Sequence, residues 1–128
     1  MRNEKVKIVI ALGSNVSQEE NISIAKEMLK KTFEDMFFGC ETWTEPIGLP
    51  GSDRFLNVIG VGYTYVGRPL VEMALKSIER KCGRRKSLTS QGIIPVDIDL
   101  LLFDSERYHA DDWQRPYVKM LLHQLGIV

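Results

Sequence analysis

The pattern of hydrophobic and polar positions along the chain predicts a series of short alternating elements. A β-branched run from Val6 to Leu12 ends at a Gly-Ser-Asn turn, which is typical of a buried strand. The following segment carries apolar residues at helical spacing, so we expect a helix that continues to about Asp35. Ser17, with Glu20 three residues later, fits a capping box at the start of this helix.

The rest of the chain continues the alternation. Aromatic and β-branched residues indicate further strands, and a proline followed later by a glycine marks the two ends of a second helix. Residues 45–53 are rich in proline and glycine and are expected to form an irregular loop. The tail after Asp104 is weakly patterned. The predicted elements are strands over 37–44 and 54–66, a helix from about Pro69 to Gly83, and a strand over 96–103.

The order of these elements is β-α-β-β-α-β, which is that of the ferredoxin-like fold. In this α+β fold, two helices cover one face of a four-stranded antiparallel sheet. A chain of 128 residues corresponds to a single domain that can bury a core. We therefore expect one domain over residues 1–128, with a short C-terminal extension after the fourth strand.

Composition and charge exclude several classes of partner. The chain is 44% hydrophobic and 27% charged, as in ordinary globular proteins. Lys and Arg total 17 and Asp and Glu total 17, so no net field attracts nucleic acid or a membrane surface. No stretch approaches the roughly 18 apolar residues of a membrane span. Any anion-binding site must therefore be a local cluster of cations.

Cysteine usage and the N-terminus suggest a cytoplasmic protein. Cys40 and Cys82 fit neither a disulfide framework nor a zinc site, so two reduced and mostly buried thiols are expected. Basic residues before the apolar run at 8–12 imitate a signal peptide. That run is shorter than the roughly 7–15 apolar residues of a signal sequence. The oligomeric state cannot be predicted.

Asp97 and Asp99 are the residues best suited to chemistry. Two positions apart on a strand, their side chains leave one face with Cα atoms about 6.5–7 Å apart. Carboxylates at this spacing can converge on one or two Mg²⁺ ions that also contact substrate phosphates. Strand alternation by itself favours a solvated sheet face instead. Because Leu101 and Phe103 continue this face with apolar residues, we expect a cleft at the start of the strand.

A cationic cluster, Arg84, Arg85 and Lys86, directly follows the second helix. It can be explained by its favourable interaction with the helix dipole. Alternatively, the loop that carries it folds over the aspartates, and its cations bind phosphate oxygens. Carboxylates for a metal and guanidinium groups for phosphates are the two requirements of phosphoryl transfer.

Other polar and aromatic residues are less specific. Asn57 is a lone amide on an apolar strand face, and it must bond either to nearby backbone or to the polar edge of a ligand. His109 and His123 have no partner at triad or metal spacing and are not expected to be functional. Trp43 and Trp113 could stack on a heterocycle, but packing is the expected role of both.

Five segments of the chain together resemble the 6-hydroxymethyl-7,8-dihydropterin pyrophosphokinase family. Each segment is weakly diagnostic alone, but they follow the family's order at nearly its spacing, over about residues 6–103. The family has a ferredoxin-like fold, in agreement with the predicted element order. The segments are IVIALGSN at 8–15, TEPIG at 44–48, RFLNV at 54–58, IERKCGR at 78–84 and VDIDLLLF at 96–103.

The resemblance implies transfer of pyrophosphate from Mg-ATP to the hydroxymethyl group of the pterin, with release of AMP, in folate biosynthesis. It implies that Asp97 and Asp99 ligate two Mg²⁺ ions and that Arg84 contacts the phosphates, all three being catalytic. Asn57 would bond to the pterin edge and Phe55 would stack on its ring. The other implied site residues are Thr44, Glu45 and Ile47 around the pterin, and Lys86 and Glu79 near ATP.

Three positions depart from the family pattern. Gln91 replaces an aromatic residue that closes on the pterin, Ile94 replaces an arginine of the catalytic loop, and Tyr117 replaces a histidine that contacts ATP. The segment after Tyr117 is expected to be short for the family. An alternative hypothesis is therefore an impaired relative that binds a pterin or nucleotide without turnover, and a third is an interaction domain. Arg85 or Lys86 could take over the role of the lost arginine.

Overall fold

The computed structural model describes residues 3–46 and 53–127. Most of these residues belong to strands and helices, and no helix among them is both long and apolar enough to cross a membrane. The elements are β1 (Val6–Ser14), α1 (Gln18–Thr32), β2 (Glu34–Phe38), β3 (Thr42–Thr44), β4 (Phe55–Thr64), α2 (Arg68–Lys81), α3 (Lys86–Thr89), β5 (Asp97–Phe103), β6 (Glu106–Arg107), α4 (Ala110–Trp113) and α5 (Pro116–Gln124).

The strands form one sheet in which hydrogen-bonded neighbours are antiparallel. The order across the sheet is β2-β4-β1-β5-β6, and β3 also pairs with β4. The central strand β1 therefore lies between β4 and β5, which is the ferredoxin-like arrangement. The predicted fold class is confirmed, with β3 and β6 as additional short strands.

The first face of the sheet is covered by α1 and α2, as the sequence predicted. Alternate residues of β1 (Ile8, Ile10 and Leu12) point towards these helices and are almost fully buried. The helices contribute their apolar stripes, which include Leu29 of α1 and Leu75 of α2. Full burial of one such side chain stabilises the fold by about 1.5–3 kcal/mol, so this layer holds the helices in place.

The second face of the sheet is partly covered by the tail, for which the sequence pattern predicts only a short extension. α5 places Val118, Leu121 and Leu122 against the sheet, and Trp113 of α4 packs beside them. These side chains contact Val9 of β1 and its neighbours on β4 and β5. Helices therefore lie on both faces, but the second face is open where β1 ends.

A β-bulge in β5 corrects one prediction about the aspartate face. The pairing of β5 with β1 shifts between Val9 and Ile10, so Leu101 has no partner residue in register. Leu101 remains on the second face, whereas Phe103 packs in the core under α1 and α2. The predicted continuation of the aspartate face is therefore correct for Leu101 and wrong for Phe103.

Several local predictions also differ from the structure. Ser17 is the N-cap of α1, but it has a left-handed backbone (φ 41°) and its side chain makes no capping hydrogen bond, so the capping box is wrong. α1 ends before Asp35, which has a positive φ of 49° at the entry to β2. The strand predicted over 37–44 is broken into parts of β2 and β3. Both cysteines are free, as expected, but Cys40 is exposed and Cys82 is half-buried.

Candidate functional site

The candidate site lies on the second face of the sheet, across the three central strands. Gly13 of β1 pairs with Asn57 of β4 on one side and with Asp97 of β5 on the other, and Ala11 pairs with Asp99. Paired residues of antiparallel strands project from the same face, so the amide and the carboxylates rise on either side of a floor of small residues. Across two strand spacings, their Cα atoms are about 10 Å apart.

Above this floor is a cavity of about 230 Å³. It is bounded by the open end of the second face and by the beginning of α5. The predicted site residue Ile47 lies outside the described residues. Of the other predicted site residues, the cavity is lined by Thr44, Glu45, Phe55, Asn57, Asp97 and Asp99, together with Ala11, Leu12, Gly13, Ile94, Asp112, Arg115, Tyr117 and Val118.

Asp97 and Asp99 form a carboxylate pair at one end of the cavity. Burial, the charge of Asp97 and a hydrogen bond with its side chain raise the pKa of the Asp99 carboxyl from 3.8 to about 8. Asp112 and Glu79 act in the same direction through their charge. Such a cluster would be stabilised by a cation, and its all-oxygen donor set suits Mg²⁺. The residues present therefore fit the predicted metal.

His109 is closer to this pair than the sequence suggested. Its Nε2 lies 3.8 Å from Asp99 Oδ1. One ligand atom from each of Asp99, His109 and Asp112 lies within 4.8 Å of the others. The expectation that His109 has no partner at metal spacing is therefore wrong, because residues from β5 and α4 converge in space although they are separated in sequence.

The raised pKa of Asp99 predicts that stability without divalent cations falls as pH rises. Between about pH 4 and pH 8, the folded chain holds a proton on Asp99 that the unfolded chain releases. The free energy of unfolding should therefore decrease with increasing pH by at most about 1.4 kcal/mol per pH unit from this group. Urea denaturation in a chelator should show this slope, and Asp99→Asn should reduce it. An identical slope in wild type and variant would contradict the assignment.

Asn57 is held so that one side of its amide faces the cavity. The side chain is buried, and its Nδ2 donates to Thr44 Oγ1 (2.8 Å), Thr42 O (3.2 Å) and Phe55 O (3.3 Å). No described residue donates to its Oδ1, which lies 3.3 Å from the position that a Cβ on Gly13 would take. Of the two alternatives for this amide, the structure shows the backbone bonds and leaves the carbonyl oxygen available to a ligand.

Arg84 fixes the start of β5 from the opposite side. Its Nη1 donates to Asp97 Oδ1 (3.2 Å) and Val96 O (3.1 Å), and its Nε donates to Thr89 Oγ1 (3.1 Å). Glu79 is 3.8 Å away and accepts a hydrogen bond of 2.7 Å from the backbone N–H of Ile98. Burial raises the pKa of Glu79. Both residues thus position the carboxylate pair.

A second, basic cleft of about 750 Å³ adjoins Arg84 at the end of α2. Arg85 donates from Nη1 to Arg84 O (2.7 Å) and Arg80 O (3.1 Å), so it caps the helix C-terminus, as the dipole explanation predicts. Lys86 lines this cleft and not the cavity. The cleft is lined by Lys76, Glu79, Arg80, Arg84, Arg85, Lys86, Thr89 and Ser90.

Asn15 attaches the end of β1 to the loop before β5. Its side chain donates to Gly92 O (2.6 Å) and accepts from the backbone N–H of Ile94 (2.6 Å). It therefore holds Ile94, where the resemblance led us to expect an arginine, in the cavity wall. Gln91 is exposed, and its side chain bonds to Ser87 O (3.1 Å) instead of lining the cavity.

Asn15→Ala should destabilise the protein by about 2–4 kcal/mol, because it leaves the buried N–H of Ile94 and the partly buried carbonyl of Gly92 without their partner. Asn15→Asp keeps the acceptor for Ile94 but loses the donor to Gly92. Its loss of stability should be smaller than that of Asn15→Ala at low pH, where the new carboxyl can be protonated and donate a hydrogen bond. Urea unfolding at pH 4 and pH 7 would measure both. Ordinary surface substitutions change the free energy of unfolding by at most about 0.5 kcal/mol. A loss in Asn15→Ala no larger than that would contradict this role.

Apart from Tyr117, whose position the resemblance assigned to an ATP contact, the sequence did not predict the part of the site that comes from the tail. Asp112 and Arg115, on either side of the α4–α5 junction, form an ion pair with Nε 2.9 Å from Oδ1. Tyr117 and Val118, in the first turn of α5, complete the wall, and burial raises the pKa of Tyr117. Pro116, at the start of α5, was the available signal for a helix here.

The two tryptophans differ in role. Trp113 is buried, and its Nε1 donates to Tyr108 O (2.9 Å) and Leu101 O (3.2 Å), which confirms the packing expectation. Trp43 is 42% exposed, and the Cζ of Arg54 lies 5.1 Å from its ring centroid. Trp43 therefore packs against Arg54 at the surface and not in the core. Neither residue lines the cavity.

Comparison with known proteins places this chain in a family. The family model for 7,8-dihydro-6-hydroxymethylpterin-pyrophosphokinase (HPPK) matches residues 9–126. The chain is 30% identical over 122 residues to the folate synthesis bifunctional protein of Arabidopsis thaliana, covering 88% of this chain and 25% of that protein. A second Arabidopsis thaliana protein, "Folate synthesis bifunctional protein, mitochondrial", is 30% identical over 122 residues, with 88% and 22% covered. The chain thus spans about a quarter of the length of these relatives. It belongs to the 7,8-dihydro-6-hydroxymethylpterin-pyrophosphokinase family.

Proposed function

We propose that the protein transfers pyrophosphate from ATP to the hydroxymethyl group of 6-hydroxymethyl-7,8-dihydropterin in folate biosynthesis. The observation that carries the proposal is the division of the cavity, with Phe55 and Asn57 on one side and Asp97 and Asp99 on the other. A flat, hydrogen-bonding ring fits the first side, and a cation-bound polyphosphate fits the second.

In this reaction, the hydroxymethyl oxygen forms a bond to the β-phosphorus of ATP. The bond from that phosphorus to the oxygen bridging to the α-phosphorus breaks, AMP leaves with the bridging oxygen, and the hydroxyl proton is released. Such chemistry depends on positioning and charge neutralisation. The cavity supplies these through a few side chains fixed on adjacent strands.

The pterin side is organised by residues of β3 and β4. Asn57 Oδ1 would accept a hydrogen bond from the amino or ring N–H edge of the pterin, since the Nδ2 group is already bonded to protein. Phe55 would pack against the ring, and Thr44 and Glu45 would contact its rim. These contacts orient the hydroxymethyl group towards the carboxylates.

The phosphate side is organised around β5. Asp97 and Asp99 would hold Mg²⁺, which when bound neutralises phosphate charge and polarises the reacting phosphoryl group. Arg84 and Glu79 keep Asp97 and the start of β5 in place. We also propose that Arg84 and Lys86 extend the positive charge along the nucleotide phosphates, because both line the basic cleft next to Asp97.

Replacement of the family's arginine by Ile94 favours one other function, binding of a pterin or nucleotide without turnover. A single assay separates the two functions. The protein is incubated with ATP, Mg²⁺ and the hydroxymethyl pterin, and AMP is measured alongside calorimetric binding of each ligand. AMP formation that requires both substrates supports the transferase. Binding without AMP on long incubation supports the binder, and no binding of either ligand refutes both.

A further inference from the structure

The cavity has an imbalance of charge that a polyphosphate would find unfavourable. Among its described lining residues, the carboxylates are Glu45, Asp97, Asp99 and Asp112, and the cation is Arg115. Transfer between phosphate groups depends on cations around the phosphate oxygens. The wall position that carries an arginine in the family is the buried, apolar Ile94. A binding site for ATP in this cavity therefore needs a cation at a position other than residue 94.

Neither cation that the sequence suggested as a substitute reaches the cavity. The Nη1 of Arg85 is bonded to two carbonyl oxygens at the end of α2, and Lys86 lines the basic cleft. Arg84 is bonded to Asp97, Val96 and Thr89. Its guanidinium therefore organises the carboxylate pair from behind. Arg84 and Lys86 therefore offer positive charge only on the side of the basic cleft, and a cation that lines the cavity itself has to come from another element.

Arg115 is positioned to be that substitute. It precedes Pro116 at the start of α5, its side chain is 32% exposed, and it lines the same cavity as Asp97 and Asp99. Asp112 Oδ1 accepts from its Nε at 2.9 Å. Among the described residues, its terminal Nη groups have no hydrogen-bond partner. A guanidinium fixed through Nε keeps these donors for two phosphate oxygens.

We propose that Arg115 binds the phosphates of the nucleotide in place of the arginine that Ile94 replaces. Asp112 acts as its positioning residue, because it fixes the guanidinium while the Nη groups remain available. The cation has thus moved from the loop before β5 to the junction of α4 and α5, and both positions line the same cavity. This inference rests on the proposed function and extends it to a residue outside the segments that carry the family resemblance.

The test measures nucleotide binding separately from turnover. The probe is an ATP analogue with a methylene group between its α and β phosphorus atoms, which cannot transfer pyrophosphate, titrated calorimetrically with Mg²⁺ into the full chain. Loss of two charge-assisted hydrogen bonds in Arg115→Met should weaken binding by about 10- to 100-fold. Arg115→Lys keeps the positive charge but lacks the paired guanidinium donors, so its affinity for the analogue should lie between those of Arg115→Met and the wild type.

Two controls separate a phosphate contact from a structural role. Lys119→Met removes an exposed cation one turn along α5 and should leave binding of the analogue unchanged. Binding of the hydroxymethyl pterin should be equal in wild type, Arg115→Met and Lys119→Met, because its contacts come from β3 and β4. If Arg115→Met weakened binding of the analogue and binding of the pterin equally, the role of Arg115 would be merely structural and the proposal would be overturned.

The remaining outcomes are equally decisive. Unchanged analogue affinity in Arg115→Met, or a loss in Arg85→Met in its place, would overturn the inference and leave the transferase proposal intact. Arg115-dependent binding in a protein that forms no AMP would support the inference and refute the proposed activity. Failure of the wild type to bind the analogue would overturn both.

Discussion

Asp97→Asn should abolish most of the Mg²⁺-dependent formation of AMP. The substitution keeps the shape of the side chain and an oxygen that can accept from Arg84, which lies 3.2 Å away. It removes one of the two charges that would hold the metal. Metal ions contribute several kcal/mol to such reactions, so we expect a loss of roughly three orders of magnitude in kcat/KM. The measurement is kcat/KM for ATP, obtained from AMP production at saturating pterin.

The matched control for this prediction is Asp104→Asn. Asp104 is exposed just after β5, and its φ of 59° is a conformation that asparagine accepts readily. The same change there should leave turnover and stability within error of wild type. Turnover in Asp97→Asn equal to that of Asp104→Asn would show that the carboxylate pair is not the metal site.

Trp113→Ala should cause the largest loss of stability among the changes considered. The side chain is 6% exposed and packs with Val118 and Leu121 against the second face of the sheet. Replacing a buried aromatic by alanine costs about 3–5 kcal/mol through lost contacts and the cavity that remains. The Cζ of Arg107 lies 4.2 Å from the ring centroid, so a cation-π contact is lost as well. Urea unfolding monitored by circular dichroism would give this value.

Two related variants show what the indole contributes. Trp113→Phe keeps most of the ring but removes the N–H that donates to Leu101 O and Tyr108 O. Its free energy of unfolding should therefore lie between those of Trp113→Ala and the wild type. Trp43→Ala removes an exposed ring and should lower the free energy of unfolding much less than Trp113→Ala does. Comparable losses in Trp43→Ala and Trp113→Ala would contradict the view that α4 and α5 are anchored by Trp113. Since Asp112 is next to Trp113, nucleotide binding should weaken with stability in the alanine variant.

The fold and half of the site could be predicted from local pattern. Helix periodicity located α1 and α2, because a long amphipathic segment carries several turns of signal. Strand periodicity placed Asp97 and Asp99 on one face, and the pairing of both with β1 makes that face continuous with Asn57. Period-2 alternation holds over the short span that the pair requires.

The parts that could not be predicted depend on contacts between distant segments. The bulge at Leu101 is set by the pairing of β5 with β1, which the sequence of β5 alone does not show. Simple strand alternation therefore predicted the wrong face for Phe103. α4 is only four residues long, too short to show a helical period. His109 gains its partner Asp99 through the turn that brings α4 back over β5. Arg115 and Asp112 are only three residues apart, but the same turn is needed to bring their ion pair to the cavity. Nothing in the spacing of these residues indicates that turn.

The bulge at Leu101 divides β5 into two segments whose side-chain phases are independent. Before it, Asp97 and Asp99 share a face with Leu101; after it, the alternation is reset. An insertion or deletion beyond the bulge can therefore alter β6 and the tail without turning the carboxylates into the helix-covered core. One added residue before the bulge would instead exchange the two faces at the site. The strand is tolerant of length changes at its far end and intolerant of them at its start.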